Sequence, residues 1–183
     1  GGIDASLEEF FSGLGKLASA PSDTSLRRVV MESGQALAAA FADIGAGMKR
    51  LQTQTLQDAS MQAELLTADL QSLALLQNRF AKNAGTIGAL NPLQDERDRL
   101  LRSIADRVGV MVDYDRFGRA QVTLGNQPGG AVLMDYEGNT TTVTASGDDR
   151  LGLTITRGGD ERTVRLFASG QLGGLAQDRK SVV

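Results

Sequence analysis

The sequence predicts an α+β fold, an elongated antiparallel helical bundle with one very long helix joined to a small antiparallel β domain. Three observations carry that reading. No proline stands between Pro21 and Pro92. Over the same interval Val30 and Leu66, Leu37 and Leu73, and Ile44 and Phe80 are each about ten helical turns apart. From Val108 onward the apolar period falls to two, and Val, Thr and Gly come to dominate.

The first helix opens at the Ser-x-x-Glu capping box of Ser6 to Glu9, and Leu7, Phe10, Phe11, Leu14, Leu17 and Ala18 share one of its faces. Gly13 and Gly15 weaken it. Ala20-Pro21-Ser22-Asp23 is a tight break in which Ser22 or Asp23 is placed to cap the next helix, so the two helices are expected side by side.

That second helix is the long one. Roughly 60 residues at about 1.5 Å each would run on the order of 90 Å, beyond the needs of a compact domain. Leu26, Val30, Leu37, Phe41, Ile44, Met48 and Leu51 follow steps of threes and fours, and Leu56, Ala59, Ala63, Leu66, Leu70, Leu73 and Phe80 resume one residue late. One extra residue over about five heptads restores a mean period near 3.6, which predicts a nearly straight helix in a bundle in place of a supercoil. Gly34, Gly45 and Gly47 each cost about 1 kcal/mol relative to alanine, so a neighbouring backbone is expected to approach them, within the bundle or from another subunit. The first half of the stripe is expected to pack within the chain. The second half is expected to project apolar surface, with Leu66, Leu70 and Leu73 as the candidate packing or assembly surface.

A Gly-rich stretch from Asn83 to Gly88 ends the helix. Asn91 as N-cap, Pro92 at the first position, and Asp95 and Glu96 in the first turn predict a third helix. Leu93, Leu100, Leu101 and Ile104 form its buried face, with i,i+4 pairs expected between Asp95 and Arg99 and between Asp98 and Arg102. Strands follow at about Val110 to Tyr114, Ala120 to Leu124, Ala131 to Met134, Thr140 to Thr144, Leu151 to Thr156 and Arg162 to Phe167. Turns fall at Phe117-Gly118, Glu137-Gly138-Asn139 and Gly158-Gly159. Leu172, Leu175 and Gln177 to Lys180 then begin another helix. The predicted organisation is a helical rod over 3–107, with helices near 4–18, 23–82 and 92–107, a β domain over 108–168, and a returning helix from 169 to 183.

Composition narrows the function. A net charge of −3 without a Lys/Arg cluster argues against nucleic acid and anionic membrane as partners. Cysteine, histidine and tryptophan are absent, which removes disulfides, thiolate chemistry and the usual transition-metal ligands, and no cofactor is expected. No charged leader with an apolar stretch is present, and Gly1-Gly2 reads as a cloning remnant, so the chain is expected to begin inside a longer protein.

Asp95, Glu96 and Asp98 form the densest carboxylate cluster, but Arg97, Arg99 and Arg102 beside them and the positive end of the helix account for it. Asp113, Asp115, Asp148, Asp149 and Asp160 stand at strand ends and turns, where aspartate is a turn former. Gly125 to Gly130 lacks the Gly-Lys-Ser/Thr ending of a phosphate loop and reads as a hairpin. Gly170, Gly173 and Gly174 have no βαβ unit around them, and Ser12, Ser19 and Ser146 no histidine to activate them. No enzyme activity is expected.

Particular residues resemble a known family. Leu14 to Leu37, with Leu17-Ala18-Ser19-Ala20-Pro21-Ser22-Asp23, Arg27, Val29, Val30 and Gln35-Ala36-Leu37, followed by Phe41, is similar to the opening helices of the flagellar hook-associated protein 1 family. Asn91, Leu93, Asp95, Arg97, Asp98, Leu100 and Leu101 stand at the positions of that family's Asn-x-Leu-x-Asp-x-Arg-Asp-x-Leu-Leu signature. Gly170-x-Leu172-Gly173-Gly174-Leu175 with Asp178 and Arg179 resembles its return to the helical domain. The helical parts carry the likeness, and the 83–90 loop and the β region add little to it.

The resemblance implies an internal fragment, without the terminal helices, of a structural protein that joins the flagellar hook to the filament. It further implies a homo-oligomeric ring outside the cell, reached through the flagellar type III export system, with the hook protein and the second hook-filament junction protein as neighbours. The isolated fragment is expected to be monomeric. Two rivals stand beside this reading: another axial protein, either the second junction protein or a flagellin-like chain, and a carbohydrate-binding or hydrolytic module in the β region. The latter would need an aromatic platform or apposed carboxylates, and the region has only Tyr114, Phe117, Tyr136 and Phe167.

Overall fold

The computed structural model describes residues 2–83, 90–126, 129–147, 151–165 and 170–178. The element order is α1 (Ile3–Ser19), α2 (Thr24–Asn83), α3 (Leu90–Arg107), β1 (Val110–Tyr114), β2 (Ala120–Leu124), β3 (Val132–Met134), β4 (Thr142–Ser146), β5 (Gly152–Arg157), β6 (Asp160–Arg165) and α4 (Gly170–Asp178). The chain divides into two compact units, residues 1–53 and 54–183, and the division falls inside α2.

In the first unit, α1 starts earlier than the capping box predicts. Gly2 occupies the N-cap position without a side-chain bond, and Ser6 and Glu9 lie inside the helix. Asp23 caps α2, as its Oδ1 accepts the Ser25 amide at 2.8 Å and the Leu26 amide at 3.3 Å. The Ser25 hydroxyl, which donates to the same oxygen, and these two amide bonds hold its carboxyl below the ordinary carboxylate range. Phe10 lies against Gly34 and Gly13 against Val30, a pairing of rising with falling residue numbers that makes the two helices antiparallel. A Cβ at Gly13 would stand 3.3 Å from the Val30 side chain, so this glycine permits the close crossing. Gly34 is met by the Phe10 ring and not by a backbone, and a Cβ added at Gly45 would find no other element within 4 Å.

In the second unit, one core runs from Ala59, Ala63, Leu66, Leu70 and Leu73 of α2 through Leu100 and Ile104 of α3. It continues to Val122, Leu133 and Met134, to Val143, Leu153 and Ile155, and to Leu172 of α4. The β region forms two three-stranded antiparallel sheets, ordered β1-β2-β3 and β4-β5-β6. Alternation sets the buried side: Val143 of β4 pairs with Ile155 and Ala145 with Leu153, whereas Thr142, Thr144 and Thr154 lie on the other face. Gly118 at φ 76°, Gly138 at φ 83°, and Gly158 and Gly159 at φ 59° and 96° occupy the predicted turns, and the last two give a two-residue hairpin joining β5 to β6.

β1 and β2 match their predicted bounds. β4 begins two residues later than the pattern suggests, because Thr140 and Thr141 bridge back to Met134 and Leu133 of the first sheet. β6 begins two residues earlier, at Asp160, directly after the turn. The ends predicted at Phe167 and at Arg179-Lys180 and the carboxylates Asp148 and Asp149 lie outside the described residues, as does most of the 83–90 loop.

Candidate packing and assembly surface

Leu66 and Leu70 are 0% exposed and Leu73 is 1% exposed. The expectation that the second half of α2 projects uncovered apolar surface is therefore corrected: α3, both sheets and α4 contribute to the core that covers it. Of the stripe itself, the exposed members are in the first half, where Phe41, Ile44 and Leu51 are 54%, 47% and 54% exposed; off the stripe, Met61, Leu65 and Leu75 of the second half are exposed as well. None of residues 34–58 is buried.

The signature residues divide by depth. Leu100 is buried, Leu93 and Leu101 pack partly buried against the core, and Asn91 and Asp95 are exposed. α3 already includes Leu90, so Asn91 stands within the first turn and not at the cap. Arg97 has the most informative environment. Its guanidinium lies 5.6 Å from the Phe80 ring centre and 4.9 Å from that of Tyr114, which ties α3 to α2 and to β1 by cation–π contact. Asp98 accepts from Arg97 at 3.2 Å, and Glu96 accepts from Arg99 at 2.6 Å. These contacts replace the predicted pairs of Asp95 with Arg99 and Asp98 with Arg102. Residues three apart are also neighbours on a helix, and Arg97, held by two rings, stays within reach of Asp98.

Further polar side chains fasten the elements. Ser103 and Arg107 of α3 donate to Asp69 Oδ2 at 2.8 and 3.2 Å, and Arg107 also donates to Gln62 Oε1 at 2.7 Å. With Arg97 against Phe80, these contacts run α3 antiparallel to α2. Gln77 is buried. Its Oε1 accepts the Ala120 amide at 2.9 Å and its Nε2 donates to the Tyr136 carbonyl at 2.8 Å, so one side chain satisfies the backbone of β2 and of the turn after β3. Thr67 Oγ1 accepts the Val143 amide at 3.0 Å and holds the outer edge of β4.

Asp135 anchors the turn between the sheets. It accepts the backbone amide of Asn139 at 2.8 Å and its side-chain amide at 2.9 Å, and it pairs with Arg157 of β5. Burial pushes its pKa up, but the Asn139 bonds and the Arg157 charge outweigh that and hold it below the ordinary carboxylate range.

Gln77 was detectable in principle, because it is the polar residue that interrupts the Leu66, Leu70, Leu73, Phe80 stripe. Asp69 and Arg157 leave no comparable mark, since their partners are 22 or more residues away; Asp135 bonds locally to Asn139, and only its pairing with Arg157 is distant. The crevice between Leu73, Leu76, Gln77, Phe80, Arg97 and Gly118 is too tight to admit water. Among the described residues no group of three or more acidic side chains is placed to hold a metal ion, and no helix is long and apolar enough to cross a membrane.

Gly170 closes the arrangement. It sits at φ +74°, and a Cβ there would lie 2.6–2.7 Å from backbone atoms of Arg107 and Val108, so only glycine lets α4 start against the end of α3.

Long helices sharing a core with two small sheets, and polar side chains spent on fastening elements together, define an α+β structural protein. The family model described as the FlgK flagellar hook-associated protein helical domain matches residues 1–183, and the chain belongs to that family, a structural component of the bacterial flagellum. Among solved structures it is similar to the flagellar hook junction protein FlgK from Burkholderia pseudomallei, with a TM-score of 0.83 and 21% identity. That likeness covers 98% of this chain and 33% of the other, so the chain spans about a third of that protein. No curated protein matches the chain.

Proposed function

We propose that this chain is the helical-domain portion of a hook-associated protein that joins the flagellar hook to the filament, a mechanical part with no reaction of its own. The observation that carries the reading is the family match along the whole chain. The polar chemistry of the second unit supports it, because Gln77, Asp69 and Asp135 are engaged in holding helices and sheets together and do not converge on an open pocket. The signature from Asn91 to Leu101 serves in this reading as a structural segment. Leu66, Leu70 and Leu73 act in packing, and Phe41, Ile44 and Leu51 are the surface that neighbouring copies cover in a homo-oligomeric ring. The hook protein and the second junction protein lie on either side of the ring, outside the cell, after export through the flagellar type III system. Nucleic acid and membrane have no part in it.

The test is complementation of a strain lacking the parent gene with the full-length protein carrying Phe41→Asp and Ile44→Asp. These substitutions fall on exposed positions, so the purified protein is expected to keep its helical circular dichroism while filaments fail to attach. Normal attachment would count against the reading. Immunogold labelling along the whole filament, in place of the hook boundary, would favour the flagellin-like alternative.

A further inference from the structure

The middle of α2 lacks the supports that its flanks have. Toward its start the helix packs on α1 around Val30 and Gly34, and from Ala59 to Leu73 it lies in the core of the second unit. Between these stretches, residues 41–46 are all exposed. Six successive residues pass more than once around a helix, so no side of α2 is buried there.

Local chemistry weakens the same stretch. Gly45 and Gly47 each shift the helix–coil balance about fivefold toward coil relative to alanine. Packing does not require either glycine: a Cβ at Gly45 would find no other element within 4 Å, and one at Gly47 would meet the Arg50 guanidinium at 3.8 Å, an ordinary contact. Asp43 is six and seven residues from Lys49 and Arg50, the only other charges between Ser33 and Gln57, so the spacing that lets ion pairs support an exposed helix does not occur. Thr53 Oγ1 donates to the Lys49 carbonyl at 3.0 Å and competes with the helical amide for that oxygen. The division of the chain into two compact units falls at the same place, between Thr53 and Gln54.

We infer that α2 is a helix with a joint: the turns from Gly45 to Thr53 open and close locally while the helix on either side stays formed. Length alone would give the opposite order, because a uniform helix frays from its ends and is firmest in the middle. Opening exposes little new apolar surface, since none of the side chains there is buried, and each flank keeps its own packing. The two glycines set how often the joint opens, and anything that comes to lie on Phe41, Ile44 and Leu51 holds it closed. The inference rests on α2 alone and is independent of the proposed role at the hook.

Native-state amide exchange of the purified chain, read peptide by peptide at rising urea below the unfolding transition, tests the joint. Amides from Gly45 to Thr53 are expected to exchange at least about tenfold faster than those from Leu26 to Ser33, and about a hundredfold or more faster than those from Ala63 to Leu73. Their rates should hardly change with urea, because little surface is exposed, whereas rates from Ala63 to Leu73 should climb. Gly45→Ala/Gly47→Ala should slow exchange in the joint by about tenfold or more and leave Ala63 to Leu73 as they were. Equal exchange from Leu26 through Thr53 would mean fraying from the end and would overturn the inference. So would protection of the joint equal to that of Ala63 to Leu73, rates in those two stretches climbing together with urea, or a double variant that exchanges like the parent.

Discussion

The two halves of α2 carry the same apolar stripe and meet opposite fates. From Ala59 to Leu73 the stripe is part of the core, whereas Phe41, Ile44 and Leu51 stay about half exposed. Periodicity identifies the greasy side of a helix. Which elements come to cover it depends on where the rest of the chain folds, and here α3, the sheets and α4 all supply residues to the core that begins at Ala59. The difference also bears on the glycines. Gly13 and Gly34 are in contact with a partner helix, whereas Gly45 faces open space in a stretch where helix propensity receives little tertiary help.

Substitutions can test that contrast at graded strength. Leu70→Ala removes a fully buried side chain and should cost about 2–5 kcal/mol in urea unfolding followed at the second unit. Gln77→Ala strands the Ala120 amide and the Tyr136 carbonyl and should cost about 1–3 kcal/mol by the same measurement. A loss under half a kcal/mol would show that water replaces the amide.

Acid should act on the fastened half. Asp135 has a depressed folded-state pKa, so its contribution is complete above the unfolded carboxylate value and is lost as pH falls through the folded value. Asp135→Asn is therefore expected to lower stability at neutral pH and to flatten the dependence below about pH 4. An unchanged acid limb would remove Asp135 from the account. In the first half, Gly45→Ala should stabilise the helix locally by about 1 kcal/mol, seen as slower amide exchange at neighbouring residues. Ile44→Ser should stay within about 0.5 kcal/mol, and a loss as large as that of Leu70→Ala would erase the distinction between the halves.

Much of the architecture was legible because it depends on local rules. The proline-free interval announced α2, the Ala20 to Asp23 break separated it from α1, and the period of two with glycine turns located every strand within two residues at its start. Gly170 was visible as part of a motif, though its contact with Arg107 was not. Neither was the partition into two sheets, which depends on Thr141 reaching back to Leu133. Arg97 read as one charge among several in a helical turn, whereas its place between Phe80 and Tyr114 comes from elements far apart along the chain. The coverage of Leu66, Leu70 and Leu73 was the largest miss, for the same reason: residues distant in sequence supply the rest of that core.

Because Gly170 touches the backbone of Arg107 and Val108, the chain leaves the helices and comes back at nearly one point, so the intervening strands form a loop with pinned feet. Residues at the far tips of that excursion can lengthen, shorten or change character without moving the helical scaffold, provided inward positions such as Val122, Leu133, Val143 and Leu153 stay apolar. A lineage can thus restyle what this protein shows to its surroundings while leaving its frame alone.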